Sequence, residues 1–378
     1  MAIDFHWRLP THGEPSSHRS REPYRGAWQF GNTDSKKPGL TQNDEHYQYI
    51  DYLAAIANAA ETAGFQGGLI PSFPMTDEPW VISAFLARVT ETFRFMIAFQ
   101  PGFLNPVTAA RMAATLQRAS NGRALFNIIT GGGGPSQLWW GDSVPHDDRY
   151  TRTTEFLDVL RGVWQGGPFD YQGKFYQVKN AGLTDPLSRE AFPEIYFSGS
   201  SDAALASASK HADYYLSWLE PFEQLKAKFD SVKQRTDALG RKIKCALRVD
   251  VIARATEEEA WREARKGFDA ITPEQVAALK ARRAQGDSVG ANRQGEFRPD
   301  QVTRFEDLII EPNVWSGFNL LRGGQGNGIV GSYQQVAERL DQLVELGADA
   351  FILASTPHLE EAYRVGEEVL PLVRGHRA

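Results

Sequence analysis

Cysteine is almost missing from this chain: Cys245 is the single one in 378 residues. That excludes an intrachain disulfide and a cysteine-based metal cluster. Cys245 lies inside a hydrophobic run and reads as a small core residue. Basic charge is not in excess either. The formal net charge of −6 argues against a nucleic-acid or anionic-membrane partner. No apolar run is long enough to cross a bilayer. Met1–Pro10 has no basic segment leading into an apolar stretch, so no signal peptide is expected and a cytoplasmic location is. His6, His12 and His18 are evenly spaced but have no acidic or cysteine cluster beside them, so no metal site is expected. The chain has no solenoid-type repeat. Gly326-Asn327-Gly328-Ile329-Val330-Gly331 matches Gly-x-Gly-x-x-Gly by letter but does not follow one of the predicted strands, and there is no Walker-type loop, so a dinucleotide held in the Rossmann manner is not supported and a mononucleotide fits better.

What the chain does have is a recurring order of hydrophobic runs, each ending in a polar or glycine-rich stop. The stops are Leu9-Pro10-Thr11-His12-Gly13, Ile70-Pro71-Ser72, Phe99-Gln100-Pro101-Gly102, Thr130-Gly131-Gly132-Gly133-Gly134, Phe197-Ser198-Gly199-Ser200-Ser201, Ser217-Trp218, Arg248-Val249-Asp250 and Ser355-Thr356-Pro357-His358. Eight such ends alternating with helical patterns predict a (β/α)8 TIM barrel, whose active site is built from the strand ends. With 42% hydrophobic residues the chain supports one large core. The spacing predicts strands over Ile3–Pro10, Phe65–Pro71, Phe93–Gln100, Ala124–Thr130, Glu194–Phe197, Tyr214–Trp218, Ile243–Ala255 and Ala350–Ser355.

One domain over residues 1–378 is expected, with two insertions at the barrel mouth. The first is the polar segment 13–45, since structureless stretches of that length are usually lids or disordered. The second is 272–331. It contains Arg322-Gly323-Gly324-Gln325-Gly326-Asn327-Gly328, a glycine density that reads as a mobile flap. Phe169–Tyr176 reads as a small hairpin around Gln172-Gly173.

Polar residues at strand ends are the candidates for chemistry. Arg248 and Asp250 lie two apart and so point to the same side of strand seven. They are either a site pair or an internal ion pair filling the barrel. Asp4, His6 and Arg8 alternate with Phe5, Trp7 and Leu9, which predicts a polar lumen and a network between strands one and seven. His12 follows strand one directly and titrates near neutral pH, which makes it the acid–base candidate, with a surface loop histidine as the competing reading. Ser198-Gly199-Ser200-Ser201-Asp202 precedes a helix, where hydroxyls and free N–H groups either bind an anion or cap the helix. The run Gly131–Gly134 strengthens the anion reading, because bare backbone lets a flat ligand lie close.

Several of these pieces resemble a known family. Leu9-Pro10-Thr11-His12-Gly13, Asn121-Gly122-Arg123-Ala124-Leu125-Phe126-Asn127, Ser200-Ser201-Asp202, Leu320-Leu321-Arg322-Gly323-Gly324 and Pro357-His358-Leu359-Glu360-Glu361-Ala362-Tyr363-Arg364 are similar to the alkanesulfonate monooxygenases, within the bacterial-luciferase-like flavin monooxygenases. The resemblance implies a two-component system. A separate NAD(P)H-dependent flavin reductase supplies reduced FMN (FMNH2), and this component uses it with O2 to oxygenate a small molecule. In the sulfonate branch the C–S bond breaks to give aldehyde and sulfite. It further implies that Ser200, Ser201 and Tyr150 hold the FMN phosphate, that Ser72, Gln100 and Thr130 line the ring side, and that Trp218, Arg248 and Arg322 lie in the substrate pocket, Arg322 on the flap. His12 and Arg248 would stand near the reacting oxygen. Dimers or tetramers are implied as well.

The chain departs from that pattern at three pocket positions. Thr76 stands where the family has a cysteine, Asp250 where it has a histidine, and Thr356 where it has a tyrosine. A carboxylate there repels a sulfonate unless it pairs with an arginine such as Arg248 or Arg8. A sulfone, a non-sulfur substrate of the same fold, and a non-catalytic flavin-binding protein therefore remain as alternatives.

Overall fold

The computed structural model describes residues 2–11, 14–15, 33–34, 49–74, 76–297, 304–322 and 326–376. Eight parallel strands close on themselves: β1 (Asp4–Arg8), β2 (Gly67–Ile70), β3 (Arg94–Phe99), β4 (Ala124–Ile128), β5 (Ile195–Ser198), β6 (Tyr214–Trp218), β7 (Lys244–Arg254) and β8 (Ala350–Ala354). Each strand pairs with the next, and β8 pairs back to β1 with Asp4 opposite Ala350 and Trp7 opposite Leu353. The fold is the expected (β/α)8 barrel.

The helices around it are α1 (Tyr49–Thr62), α2 (Pro79–Leu86), α3 (Pro106–Ser120), α4 (His146–Trp164), α5 (Asp202–His211), α6 (Phe222–Asp237), α7 (Tyr333–Glu345) and α8 (His358–Glu368). Their limits follow local chemistry. Asn105 caps α3 by accepting from Val107 and Thr108 N–H, Pro106 fills the first turn, and Asn121 ends the helix in the left-handed region at φ 56°.

Alternation along the strands sorts the two cores. Phe5, Trp7, Phe95, Phe126, Phe197, Leu247 and Phe351 face the helices and are buried. Each aromatic or large aliphatic side chain so placed contributes about 1.5–3 kcal/mol relative to exposure. Leu69, Met96, Leu125, Tyr196, Tyr214, Leu216 and Ile352 fill the lumen.

The lumen also holds polar residues, as the alternation in β1 predicts. His6 Nε2 meets the Tyr196 hydroxyl at 3.3 Å, and the Tyr214 hydroxyl donates to Asp4 at 3.2 Å. Lys244 donates to the Tyr214 hydroxyl at 3.0 Å. The network therefore runs from β1 through β5 and β6 before it reaches β7. The two tyrosine rings stack at 4.2 Å. Burial pushes the His6 imidazole down to about 3, with Arg94 adding to the shift, so it is neutral at physiological pH.

Beyond Asp250, β7 leaves the barrel and pairs in parallel with Gly328–Ser332. Val314–Trp315 and Ile309–Glu311 complete this small sheet in antiparallel order. Gly328 thus sits in a strand, where glycine density reads as a flap. The reason is steric: a Cβ at Gly328 would come within 2.3 Å of Asp250 O and 2.4 Å of the Phe318 ring. Helices Glu257–Asp269, Pro273–Ala284, Val289–Glu296 and Phe318–Arg322 occupy the rest of the excursion after β7. The hairpin pairs Phe169–Gln172 with Gln177–Ala181, so its return strand lies beyond Tyr176.

Candidate functional site

The C-terminal ends of β3, β4 and β5 converge on one corner of the mouth. Thr130 follows β4 and is buried. Gly131 takes φ +87°, and a Cβ there would lie 2.7 Å from Gln100 Oε1 and 2.0 Å from Gln137 Oε1. A side chain is thereby excluded, and backbone is presented to the mouth. Gln100 Oε1 is buried and has no hydrogen-bond partner among the described residues. A buried acceptor left unmatched costs about 1–3 kcal/mol, so it marks a place for a donor. Gln137 is fixed from behind by Asp142, which also takes a two-pronged ion pair from Arg152 at 3.0 and 2.7 Å.

The β5 end supplies hydroxyls. Ser201 caps α5 by accepting from Ala204 N–H at 3.2 Å, so the capping reading holds for that residue. Its side chain also engages the Tyr150 hydroxyl, as does that of Thr130. Burial pushes the Tyr150 phenol above its ordinary value against those hydrogen bonds. The Tyr215 hydroxyl donates to Gly199 O at 2.8 Å. Burial raises the Tyr215 phenol as well, against a hydrogen bond with Ser200. Gly199 takes φ +139°, and a Cβ on it would stand 2.5 Å from Ala204 Cβ and 2.8 Å from Tyr150 Oη. Ser198, Gly199, Ser200 and Ser201 are half-buried. Thr130, Tyr150, Ser200, Ser201 and Tyr215 thus place five hydroxyls around the start of α5, where helix N–H groups favour an anion.

The adjoining wall comes from β6 and β7. Trp218 ends β6 and is half-buried. Arg248 and Asp250 are both buried, and Arg248 Nη2 donates to Asp250 Oδ1 at 2.9 Å. Arg248 Nη1 has no partner among the described residues. Lys228 donates to the Ser217 hydroxyl at 3.2 Å and pairs with Glu220 at 2.5 Å, and burial pushes the Lys228 ammonium below its ordinary value.

The segment carrying Asp287 and Gly290 crosses this mouth. Asp287 N–H donates to Gly132 O at 2.9 Å, and Arg149 pairs with Asp287 at 2.6 Å. A Cβ on Gly290 would lie 3.3 Å from Ser200 Oγ and 3.1 Å from the Trp218 ring. The segment therefore spans from the glycine run to the β5 and β6 ends.

Thr130, Gly131, Gln100, Tyr150 and the Ser198–Ser201 loop are thus together, and Trp218 reaches the same group through Gly290. Ser72 follows β2 and is half-buried. The Thr76 hydroxyl is committed to its own turn, bonding Phe73 N–H at 2.9 Å and Phe73 O at 3.0 Å. Thr356 is buried after β8. His12 and the side chain of Arg322 lie outside the described residues. Asn127 was missed by sequence reasoning, yet it lies in β4 buried with Oδ1 unpartnered among the described residues. A lone polar residue inside Ala124–Ile128 was the available signal. Tyr215, Arg149 and Asp287 gave no such signal.

The family model for luciferase-like monooxygenases matches residues 28–350. The chain belongs to that family. It is accordingly an oxidoreductase of the flavin monooxygenase type. Solved structures share the fold. A riboflavin lyase with modified FMN and substrate riboflavin aligns at TM-score 0.74 and 20% identity, covering 100% of this chain and 93% of that one. A long-chain alkane monooxygenase aligns at 0.74 and 19%, covering 98% and 91%. A coenzyme F420 dependent tetrahydromethanopterin reductase from Methanopyrus kandleri aligns at 0.65 and 16%, covering 98% and 99%. At these identities the likeness shows the fold alone. Among the described residues no helix is long and apolar enough to cross a membrane.

Proposed function

We propose that the chain is the oxygenase component of a two-component system, binding reduced FMN at the barrel mouth and using O2 to oxygenate a small organic molecule. The observation that carries this reading is the convergence of Thr130, Tyr150, Ser200 and Ser201 on the start of α5. The residues fit a flavin mononucleotide. Hydroxyls and helix N–H groups suit its phosphate. Gly131 and Gly199 leave no room for a side chain beside it, and the unmatched Gln100 Oε1 suits a ring donor. Ser72 and Ser198 complete the binding set. Bound reduced FMN would supply the electrons that activate O2.

The chain's own residues do the rest. Arg248 directs its Nη1, which has no partner among the described residues, to an oxyanion on the substrate, a task suited to a guanidinium that stays charged. Asp250 fixes the guanidinium plane. Trp218, whose ring packs close to Gly290, shields the β6 side of the mouth from water. His12 is the residue assigned to proton transfer, and Arg322 to closing the flap. In the organosulfonate reading, one oxygen of O2 goes to the carbon bearing sulfur and the other to water. The C–S bond then breaks, leaving aldehyde and sulfite. A separate NAD(P)H-dependent reductase, a homo-oligomeric state and a cytoplasmic location belong to the same proposal. So does one barrel domain with insertions at 13–45 and 272–331.

The test is sulfite release from a panel of alkanesulfonates with a supplied flavin reductase. Stoichiometric sulfite with loss of substrate supports the organosulfonate reading. A second reading rests on Asp250, whose carboxylate already matches the Arg248 charge: a sulfone or a non-sulfur compound. Flavin-dependent O2 uptake with a product one oxygen heavier and no sulfite would favour it.

A further inference from the structure

Arg149 is a cation buried beside the hydroxyl cluster. Its side chain is 3% exposed, while that of its ion-pair partner Asp287 is 41% exposed. Its guanidinium donates to Val144 O at 3.0 Å and to Asp287 Oδ1 at 2.6 Å, and its Nε has no partner among the described residues. The two sides of the pair belong to different kinds of element. Arg149 is anchored in α4, directly before Tyr150. Asp287 rides on the segment that joins the helices Pro273–Ala284 and Val289–Glu296.

Three contacts put that segment on the hydroxyl corner. Asp287 N–H bonds Gly132 O at 2.9 Å. A Cβ on Gly133 would lie 2.4 Å from Asp287 Cγ, and one on Gly290 3.3 Å from Ser200 Oγ. The charges of both Arg149 and Asp287 also act on the Tyr150 hydroxyl, in opposite directions. A carboxylate, a buried guanidinium and the hydroxyls therefore share one corner.

We propose that Arg149 is a further phosphate-binding residue and that Asp287 competes with a phosphomonoester for it, so that cofactor loading loosens the crossing segment. The inference rests on the flavin mononucleotide reading and deepens it by naming the charge state the corner selects. A phosphomonoester carries about −1.5 to −2 charges at pH 7 and three strong acceptors. One carboxylate cannot hold the guanidinium against it and is repelled by it at the same time. Riboflavin has no phosphate and gains nothing from displacing Asp287. A phosphodiester carries a single charge and gains less.

The experiment titrates oxidised FMN and riboflavin into the wild-type chain, Asp287→Asn and Arg149→Lys. It also follows hydrogen exchange of the 285–296 amides in the wild type with each ligand. Asp287→Asn is expected to tighten FMN about fivefold and leave riboflavin unchanged. Arg149→Lys is expected to weaken FMN by about the same factor, again sparing riboflavin. In the wild type, FMN should raise exchange at 285–296 and riboflavin should not. The exchange measurement needs no variant and stands if a variant misfolds. FMN binding tighter than riboflavin, with Asp287→Asn unresponsive or weakened for both and no rise in exchange, would overturn the Asp287 inference alone. FMN binding no tighter than riboflavin in the wild type would overturn the mononucleotide reading together with it.

Discussion

Arg248 Nη2 and Asp250 Oδ1 are 2.9 Å apart on the same strand, buried at the barrel mouth. On the proposed reading, the pair sets a carboxylate beside the guanidinium that a substrate anion would meet. Removing one partner of a buried pair leaves an uncompensated charge, at a cost of about 3–5 kcal/mol. Asp250→Asn keeps the shape and removes the charge. It is expected to lower the unfolding free energy measured by urea titration by an amount at the lower end of that range, and to lower KM for an anionic substrate relative to a neutral one. A variant as stable as wild type, with no change in charge preference, would show that the pair does neither job.

Tyr150→Phe isolates the hydroxyl at the β4–β5 corner. Losing a hydrogen bond to a charged group costs about 1.5–3 kcal/mol, or roughly tenfold to a hundredfold in affinity. FMN affinity should fall within that range by fluorescence titration, while riboflavin affinity holds. An equal loss for both ligands would place Tyr150 away from the phosphate.

Gly328→Ala tests close packing against flexibility. The added Cβ meets Asp250 O at 2.3 Å and the Phe318 ring at 2.4 Å, with backbone on one side. Overpacking of this kind costs about 1–3 kcal/mol, so thermal unfolding should come several degrees earlier. An unchanged melting temperature would mean that the Gly328–Ser332 strand yields freely.

Acid should unfold the chain partly through two buried histidines. Burial pushes His6 and His211 from 6.5 down to about 3 in the folded state. The unfolded chain therefore binds more protons between those values. Stability is full above pH 6.5 and falls as pH drops towards 3, by up to about 1.4 kcal/mol per pH unit for each histidine. Chemical denaturation at pH 7, 6, 5 and 4 measures the slope. His6→Gln should flatten it, and an unaltered slope would mean that His6 titrates normally when folded.

Much of the fold was legible because period and punctuation are local. The alternation Asp4-Phe5-His6-Trp7-Arg8 carries both the strand and its polar inner face, and the structure puts His6 against Tyr196 and Asp4 against Tyr214. The hydroxyl and glycine stops after β4 and β5 were legible for the same reason. Gly328 was not. Glycine has one signature in sequence for mobility and for tight packing, and only the proximity of Asp250 O separates them. Ser201 carried two readings, anion contact and helix cap, and its geometry serves the cap while engaging Tyr150.

The sequence by itself determined the number and order of the eight barrel strands, because hydrophobic period and turn chemistry act over a few neighbouring residues. Tertiary structure alone decided that Arg149 meets Asp287, 138 residues away, and that Gly290 lies over Ser200 and Trp218. Such meetings depend on how the excursion after β7 folds back over the mouth. No local propensity encodes that path, since it is set by packing among elements far apart in the chain.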